Sequence, residues 1–301
     1  MPTLRQLRYF DALARFRHFG LAAEHCSVTQ PALSTQIQEL EKELGVELVE
    51  RRYKNLRLTP AGQEVAQRSQ RILAEVCDLT DYARHHGKLL SGSLQLGVIP
   101  SIAPYLLPPA LPALRRHYPE LELRIRETRT QTLLGELLDG TLDLLLLALP
   151  VAHADVETAP LFEDRFVLAL PPDRQIHGSV NASPELMAQD RLLLLEEGHC
   201  LRAQALSFCQ LRQIDSVDTF GASSLSTIVQ MVANGMGLTL LPEISIGVET
   251  RHGDMQLMRF ADPEPSRIVG LAWRRASPRK ADFAEFGRLI AETAPLGHPL
   301  P

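Results

Sequence analysis

Apolar residues recur every three or four positions through the first 45 residues, which is the spacing of an amphipathic α-helix. The pattern predicts three helices, over 4–16, 21–26 and about 31–44. Their inward positions are Leu4, Leu7, Phe10, Leu13, Phe16, Leu33, Ile37, Leu40 and Leu44. Ala22 and Ala23 allow two helices to approach closely, and Ser27-Val28-Thr29 turns the chain before the third helix. This arrangement predicts an all-α helix-turn-helix domain over 1–60.

The next stretch, 61–88, has no glycine between Gly62 and Gly87 and no proline, which predicts one long helix. Positions spaced alternately four and three residues apart are apolar in five cases of six; they are Val65, Ser69, Ile72, Val76, Leu79 and Ala83. Such a seam favours a linker helix, over 61–90, that joins two copies into a homodimer. The alternative is a helix packed on its own domain.

Strand-like and helix-like segments alternate from 91 to 301, which predicts an α/β domain. Some segments are apolar on both faces, as in a buried parallel sheet. We predict strands at 94–99, 121–127, 142–149, 166–170, 192–195, 238–241 and 268–273, and helices around 104–117, 130–139, 201–212, 224–235 and 281–293. The late strand near 268 indicates two lobes around a cleft, with lobe I at about 91–163 and 268–301 and lobe II at about 164–267.

Composition and charge narrow the class of protein. Of 301 residues, 45% are hydrophobic and 22% charged, as in soluble globular proteins. The longest apolar run, 144–152, is far below the ~20 residues that span a bilayer, and the N-terminus does not resemble a signal peptide. We therefore expect a cytoplasmic protein without a membrane partner.

Charge is distributed unevenly along the chain. Residues 1–90 carry 13 basic and 11 acidic side chains (13 − 11 = +2), and the rest carry 18 and 25 (18 − 25 = −7), which together give the net charge of −5. A slightly basic N-terminal part followed by an acidic remainder suits a DNA-binding protein with a separate sensing domain.

The start of the third helix carries short polar side chains that suit base edges in the major groove: Thr29, Gln30, Ser34, Thr35 and Gln36. A basic segment follows at 47–59. If it forms a hairpin wing, its cations would lie near DNA phosphates; they are Arg51, Arg52, Lys54 and Arg57. The alternative is that any three-helix packing unit produces this periodicity.

Four cysteines occur, at 26, 77, 200 and 209, and the absence of a Cys-x-x-Cys motif makes a zinc site improbable. Cys200 lies near the predicted start of a helix that would also carry Cys209. Nine residues of helix separate two Cα atoms by about 13 Å, whereas a disulfide requires about 4–7 Å. A disulfide would therefore require the segment to unwind.

The neighbours of Cys200 favour a reactive thiolate, because a helix N-terminus, Arg202 and a protonated His199 would each stabilise it. Cys200 would attack a peroxide and Cys209 would resolve the resulting sulfenic acid. The alternative is two buried cysteines that act as small hydrophobic residues.

The predicted helix-turn-helix domain over 1–60, called the head below, resembles the LysR-type transcriptional regulators in three segments. They are 19–23 (Phe-Gly-Leu-Ala-Ala), 29–37 (from Thr29-Gln30-Pro31 to Ile37) and 58–62 (with Thr59). Thr35 departs from the arginine that many members carry. The resemblance implies a winged helix-turn-helix, a long linker helix and a two-lobed sensor like a periplasmic binding protein. It also implies promoter DNA as a partner, a homodimer that assembles into a tetramer, and contact with RNA polymerase.

Segments 198–202 (Gly-His-Cys-Leu-Arg) and 208–209 resemble the peroxide-sensing branch of that type, as do 99–101, 104–108 and 237–242. By this resemblance the peroxide-binding residues are Ser101, Thr130, His199, Arg202 and Arg267, with Ser101 in place of the usual threonine.

Two other functions remain open. A LysR-type regulator could instead bind a small organic acid, with Ser101 and Thr130 holding its carboxylate at helix N-termini. A thiol peroxidase would need the same nucleophile, but the DNA-binding head argues against an enzyme. We expect neither a cofactor nor a metal.

Overall fold

The computed structural model describes residues 1–50, 56–85, 88–174, 181–182, 187, 191–211, 221–251 and 254–295, with the backbone alone at 77–78, 81–85, 208–211 and 221. The chain divides into two compact units. One comprises 1–86 with 138–141, and the other comprises 87–137 and 142–301. Each unit buries apolar side chains of its own.

Three helices enclose the core of the first unit: α1 (Leu4–Phe16), α2 (Phe19–His25) and α3 (Gln30–Leu44). Five of the predicted inward residues are at most 1% exposed, namely Phe10, Leu13, Leu33, Ile37 and Leu40. Burial of each such side chain contributes about 1.5–3 kcal/mol to folding. Leu4, Phe16 and Leu44 were also predicted to face inward, but they lie at helix ends and are 36–45% exposed.

Side-chain caps determine where α2 and α3 begin. His18 Nδ1 accepts hydrogen bonds from the backbone N–H groups of Gly20 and Leu21, at 3.1 and 3.2 Å, so α2 begins two residues before the predicted start. The Thr29 hydroxyl accepts from the Ala32 N–H at 3.4 Å. Both caps satisfy N–H groups that a helix start leaves without a partner.

The predicted wing follows α3 as a short antiparallel pair, β1 (Val49–Glu50) and β2 (Arg57–Leu58). Arg51, Arg52 and Lys54, the predicted phosphate-contacting residues of the wing, lie outside the described residues. Thr59 ends the wing, because its hydroxyl donates to the Glu47 carbonyl at 2.6 Å and accepts from the Gly62 N–H at 2.9 Å.

The long helix α4 (Pro60–His85) begins directly after Thr59. The first part of its predicted seam faces its own chain: Val65 packs against the core of the head, and Ser69 is only 1% exposed. Farther along, Ile72 is 45% exposed and Leu79 is 67% exposed. The first part of the seam therefore packs on its own domain, and pairing of the later, exposed part with a second copy stays a prediction.

One mixed sheet organises the second unit. Its strands are β3 (Gly92–Val98), β4 (Leu121–Glu127), β5 (Leu144–Leu149), β6 (Val156–Leu170), β9 (Thr239–Pro242), β10 (Gln256–Met258) and β11 (Ser266–Arg274). Within the described residues the order is β10-β6-β11-β5-β3-β4, and β9 also pairs with β6. β3 is parallel to β4 and β5, whereas β11 is antiparallel to β5 and β6. A separate parallel pair joins β7 (Leu194–Leu195) and β8 (Gly221–Ala222).

Helices alternate with these strands along the chain. They are α5 (Ala103–His117), α6 (Thr130–Leu138), α7 (Cys200–Leu211), α8 (Leu225–Ala233), α9 (Ile246–Glu249) and α10 (Lys280–Thr293). Where the structure describes the chain, no helix combines the length and the apolar character that crossing a membrane requires. The short α9 and strand β10 were not predicted from the sequence.

Strand β6 is much longer than predicted, because it begins at Val156 rather than at 166. Pro160 and charged residues interrupt the apolar alternation of its first half. Pairing with β11 nevertheless continues through a register shift beside Gly270, which lies opposite Pro160. A Cβ atom at Gly270 would lie 2.6 Å from the Ala159 carbonyl oxygen, so glycine permits this close pairing.

Candidate peroxide-sensing site

A small cavity in the second unit lies where β3 ends and where α6 and α7 begin. The described residues that line it are Ile99, Pro100, Ser101, Arg129, Thr130, Gly198, His199 and Cys200. Its volume is about 10 Å³, close to the space that one molecule the size of water requires. Because two helices start at the cavity, the positive ends of their dipoles favour negative charge there.

Cys200 is the first residue of α7 and is a free, half-buried thiol. The backbone of α7 also contains Cys209, so both cysteines belong to one regular helix. Helical rise separates their Cα atoms by about 13 Å, about twice the separation that a disulfide tolerates. The described conformation therefore agrees with the expectation that bridging them requires α7 to unwind.

Ser101 is 3% exposed and is held by a buried ion pair. Arg267 donates from Nη1 to Ser101 Oγ at 2.9 Å and from Nη2 to the Ser101 carbonyl at 3.0 Å. Its Nε donates to Asp164 Oδ2 at 2.8 Å, and neither charged side chain is exposed to solvent. Since a guanidinium only donates, Ser101 Oγ must accept from it, which leaves the Ser101 proton free to be donated elsewhere.

Thr130 is the first residue of α6, and its buried hydroxyl oxygen has no hydrogen-bond partner among the described residues. A buried hydroxyl without a partner costs about 1–3 kcal/mol, so native proteins rarely leave one unsatisfied without a reason. This hydroxyl lines the same cavity as the Cys200 thiol. A small ligand that can both donate and accept hydrogen bonds would satisfy it.

His199 is nearly buried, and its pKa lies below the ordinary histidine value. Burial is the main cause, repulsion by Arg129 adds to it, and Glu196 acts in the opposite direction. The imidazole is therefore neutral near pH 7. His199 was expected to stabilise the Cys200 thiolate only if protonated, and this environment favours its neutral form.

Two other predicted peroxide-binding residues lie behind the cavity wall. Arg202 donates from Nη1 to the Leu195 carbonyl at 3.0 Å, and it is not among the described residues that line the cavity. Arg267 is likewise absent from the lining and reaches the cavity through Ser101. Both arginines hold cavity-forming segments in place.

Sequence reasoning missed three charged residues of this region. Arg129 lines the cavity and pairs with Glu196 at 3.3 Å, and Asp164 neutralises Arg267. Arg129 directly precedes Thr130, so its position next to a predicted site residue was a usable signal. Asp164 had no such signal, because only the pairing of β6 with β11 brings it to Arg267.

A second cavity, of about 120 Å³, adjoins the first and shares Pro100 and Ser101 with it. Glu127 lines it, and so does Tyr105, whose hydroxyl donates to Glu249 at 2.6 Å. Burial, followed by the hydrogen bond to Glu249, raises the pKa of Tyr105. Two carboxylates next to this larger space make it unfavourable for an organic acid.

The polar start of α3 is largely available at the surface of the head. Gln30, Pro31 and Thr35 are exposed, whereas Ser34 and Gln36 are partly buried. The Thr35 hydroxyl donates to the Pro31 carbonyl at 3.0 Å, and the Gln36 amide donates to Glu39. Gln30 is therefore the strongest candidate for reading a base edge, since Thr29 caps the helix.

Among the described residues, no group of three or more histidine, cysteine or acidic side chains is arranged to hold a metal ion. The cavity beside Cys200 instead combines a thiol, two hydroxyl groups and an imidazole. Such a set can form a thiolate and hydrogen-bond both oxygens of a small oxidant.

The two units match two known protein families. Residues 4–63 match the family described as "Bacterial regulatory helix-turn-helix protein, lysR family". Residues 87–295 match the family described as "LysR substrate binding domain".

Curated relatives align over nearly the whole chain. A probable hydrogen peroxide-inducible genes activator of Streptomyces viridosporus is 43% identical and covers 97% of this chain and 94% of its own length. The DNA-binding transcriptional dual regulator OxyR of Escherichia coli K12 is 38% identical and covers 96% and 94%.

Solved structures agree with these sequence matches. A full-length OxyR with a cysteine-to-aspartate substitution, from Pseudomonas aeruginosa, superposes with a TM-score of 0.79 at 36% identity and covers 99% of both chains. A cysteine-to-serine variant of Corynebacterium glutamicum OxyR with hydrogen peroxide bound has a TM-score of 0.68 at 34% identity and covers 97% and 92%.

Proposed function

The protein belongs to the LysR family of bacterial helix-turn-helix regulators, and from this premise we propose that it regulates transcription in response to hydrogen peroxide. The peroxide-inducible activators to which it is similar align with both of its units. The signal would act at Cys200 in the second unit, and the first unit would bind promoter DNA in the cytoplasm.

The first chemical step is attack of the Cys200 thiolate on one peroxide oxygen. The O–O bond breaks, an S–O bond forms, and the other oxygen leaves as hydroxide, which takes a proton to become water. Sulfur loses two electrons and peroxide gains them, so the product is Cys200 sulfenic acid. Ser101 donates a hydrogen bond to peroxide, and Thr130 holds the second oxygen.

The second step joins the two cysteines. The Cys209 thiolate attacks the sulfenic sulfur, the S–O bond breaks, and the oxygen leaves as hydroxide, which takes a proton to become water, as the Cys200–Cys209 disulfide forms. Because regular helix holds the residues too far apart, α7 must unwind before they meet. The chemical signal thereby becomes a change in backbone structure.

The single observation that carries this proposal is that Thr130, whose buried hydroxyl has no partner among the described residues, and Cys200, a free thiol, line one cavity of about 10 Å³. The space is close to what one water-sized molecule requires, which favours a very small ligand over an organic acid. His199 lines the same wall, and its neutral imidazole can exchange hydrogen bonds with such a ligand.

The DNA-binding unit would present α3 to the major groove, with Gln30 against a base edge and Ser34, Thr35 and Gln36 beside it. The wing would place Arg51, Arg52 and Lys54 near phosphates, next to Thr59. We propose that α4 pairs two chains into a homodimer, that dimers associate into a tetramer on DNA, and that the oxidised form contacts RNA polymerase.

Peptide mass spectrometry after a brief peroxide pulse tests the chemical assignment. Trypsin cleaves after Arg202, so peptide 192–202 carries Cys200 and peptide 203–212 carries Cys209. We expect micromolar peroxide to link these two peptides in the wild type, to leave the remaining Cys209 thiol intact in C200S, and to leave a sulfenic acid on 192–202 in C209S. Oxidation of Cys209 in C200S at the wild-type rate would overturn the assignment.

A further inference from the structure

Arg129 lines the same cavity as Cys200, and no sequence motif indicates this position. Its carbonyl accepts from the Leu133 N–H at 3.1 Å, which anchors the residue at the start of α6. Its side chain crosses to the loop before Cys200, where Nη2 lies 3.3 Å from Glu196 Oε2. A Cβ atom built on Gly198 would lie 3.1 Å from Arg129 Cδ and 3.2 Å from Nη1.

Gly198 makes this contact feasible. Its φ of +91° lies in the region that favours glycine, and any larger side chain would crowd the guanidinium. The guanidinium therefore lies next to Gly198, which precedes Cys200 by two residues in the sequence, and Arg129 lines the same cavity.

The other basic groups near Cys200 do not place a cation in the cavity lining. Arg267 pairs with Asp164, Arg202 donates to the Leu195 carbonyl and is not among the described lining residues, and burial favours the neutral form of His199. Of the acidic groups, Glu127 lines the adjoining cavity and Glu196 pairs with Arg129. Within the described part of the chain, Arg129 is thus the cation that lines the cavity.

We propose that Arg129 is a further residue of the peroxide site, whose positive charge stabilises the Cys200 thiolate while Glu196 partly offsets it. The inference rests on the proposed peroxide-sensing function and adds to it the electrostatic control of the nucleophile. Arg129 does not react; it holds a guanidinium at the cavity wall, which repels the imidazolium form of His199 and attracts the thiolate.

Because Arg129 and Glu196 carry opposite charges, removing one or the other should change thiolate formation at Cys200 in opposite directions. Removing Arg129 withdraws the cation, so Cys200 should form thiolate less readily. Removing Glu196 leaves the cation without its counter-charge, so Cys200 should form thiolate more readily. A purely structural ion pair would produce the same direction of change in both variants.

The test measures alkylation of Cys200 in the reduced full-length protein, read on peptide 192–202 by mass spectrometry. Neutral iodoacetamide reports thiolate formation across pH, and anionic iodoacetate reports local charge. In R129Q we expect iodoacetamide to alkylate Cys200 about three- to tenfold more slowly near neutral pH, and the iodoacetate-to-iodoacetamide rate ratio to fall about threefold, because a half-exposed charge is partly screened. E196Q should shift both quantities in the opposite direction, and R129K should retain most of the wild-type values.

R126Q is the matched control. Arg126 also carries one positive charge and also pairs with a glutamate, at 3.3 Å from Glu136, but it does not line the cavity among the described residues. Unchanged alkylation in R129Q, or equal shifts in R126Q, would overturn the inference. Alkylation needs no peroxide, so failure of the wild type to form the peroxide-induced disulfide would overturn the proposed function separately.

Discussion

At the scale of single residues, the direction of hydrogen bonds determines what the cavity can do. Arg267 can only donate, so it assigns Ser101 Oγ the role of acceptor and leaves its proton for the cavity. Thr130 brings a second hydroxyl that no described group satisfies. Two hydroxyl groups and a neutral imidazole around a thiol suit a small, uncharged oxidant.

Replacing Thr130 with valine should slow the reaction of Cys200 with peroxide about tenfold, equivalent to about 1.4 kcal/mol, since one hydrogen bond to peroxide is lost. The shape of the side chain is nearly preserved. The rate of thiol loss on peptide 192–202 measures the effect. T132V, at an exposed position of the same helix, is the control and should react as the wild type does; equal rates in T130V and T132V would show that the Thr130 hydroxyl plays no part.

The buried pair of Asp164 and Arg267 should matter for stability as well as for reactivity. D164N leaves a buried guanidinium without its counter-charge, so we expect the free energy of unfolding to fall by about 3–5 kcal/mol. The double variant D164N/R267M should recover part of this loss, because it removes both buried charges. Urea denaturation measures these changes.

The control for this pair is E120Q, which breaks the exposed pair with Lys88 and should cost less than about 1 kcal/mol. A D164N variant as stable as E120Q would contradict the argument that this ion pair braces Ser101.

At the scale of elements, α7 is both the carrier of the two cysteines and the obstacle to joining them. Its regular backbone runs from Cys200 to Leu211. On the proposed mechanism, the reduced form would retain the hydrogen bonds of this helix and the oxidised form would give some of them up. The intrinsic stability of α7 would then contribute directly to the redox potential of the proposed disulfide.

A substitution that weakens α7 at its surface should favour the disulfide. Ala203 is exposed, and A203G lowers helix stability by about 1 kcal/mol, which corresponds to a redox potential about 20 mV more negative. Equilibration with dithiothreitol measures the potential. S207A, at another exposed position, strengthens the helix and should shift the potential the other way; shifts of the same sign would refute the unwinding step.

At the scale of the whole molecule, the proposed function assigns DNA binding to the first unit and the reaction with peroxide to the second. The long helix α4 begins in the core of the head and later exposes Ile72 and Leu79. Exposed leucine and isoleucine at seam positions are costly in a monomer and are satisfied when a second helix covers them. The homodimer proposed above would supply that cover.

Placing a charge in the exposed part of the seam should separate the dimer. L79E would bring two carboxylates together across the symmetry axis, so we expect the dissociation constant to rise at least about tenfold. Sedimentation equilibrium measures it. Q67E adds the same charge to an exposed, non-seam position of α4 and should leave the dimer intact. Dimers of equal strength in L79E and Q67E would place the interface elsewhere.

Local patterns were sufficient to predict most helices and several strands, because their periodicity is written in consecutive residues. The helices over 4–16 and 31–44 are examples. The first half of β6 escaped prediction because it is stabilised by pairing with the distant β11 rather than by its own pattern. Arg51, Arg52 and Lys54 remain predictions.

The sequence by itself determined the helix-turn-helix head, the α/β class of the sensor and the place of Cys200 at a helix start, since each depends on neighbours along the chain. Only the tertiary structure decided that Arg267 is held by Asp164 next to Ser101, that no described residue satisfies the Thr130 hydroxyl, and that Arg129 pairs with Glu196 and lines the same cavity as Cys200. These contacts join residues tens of positions apart, and no local periodicity encodes the distance between them.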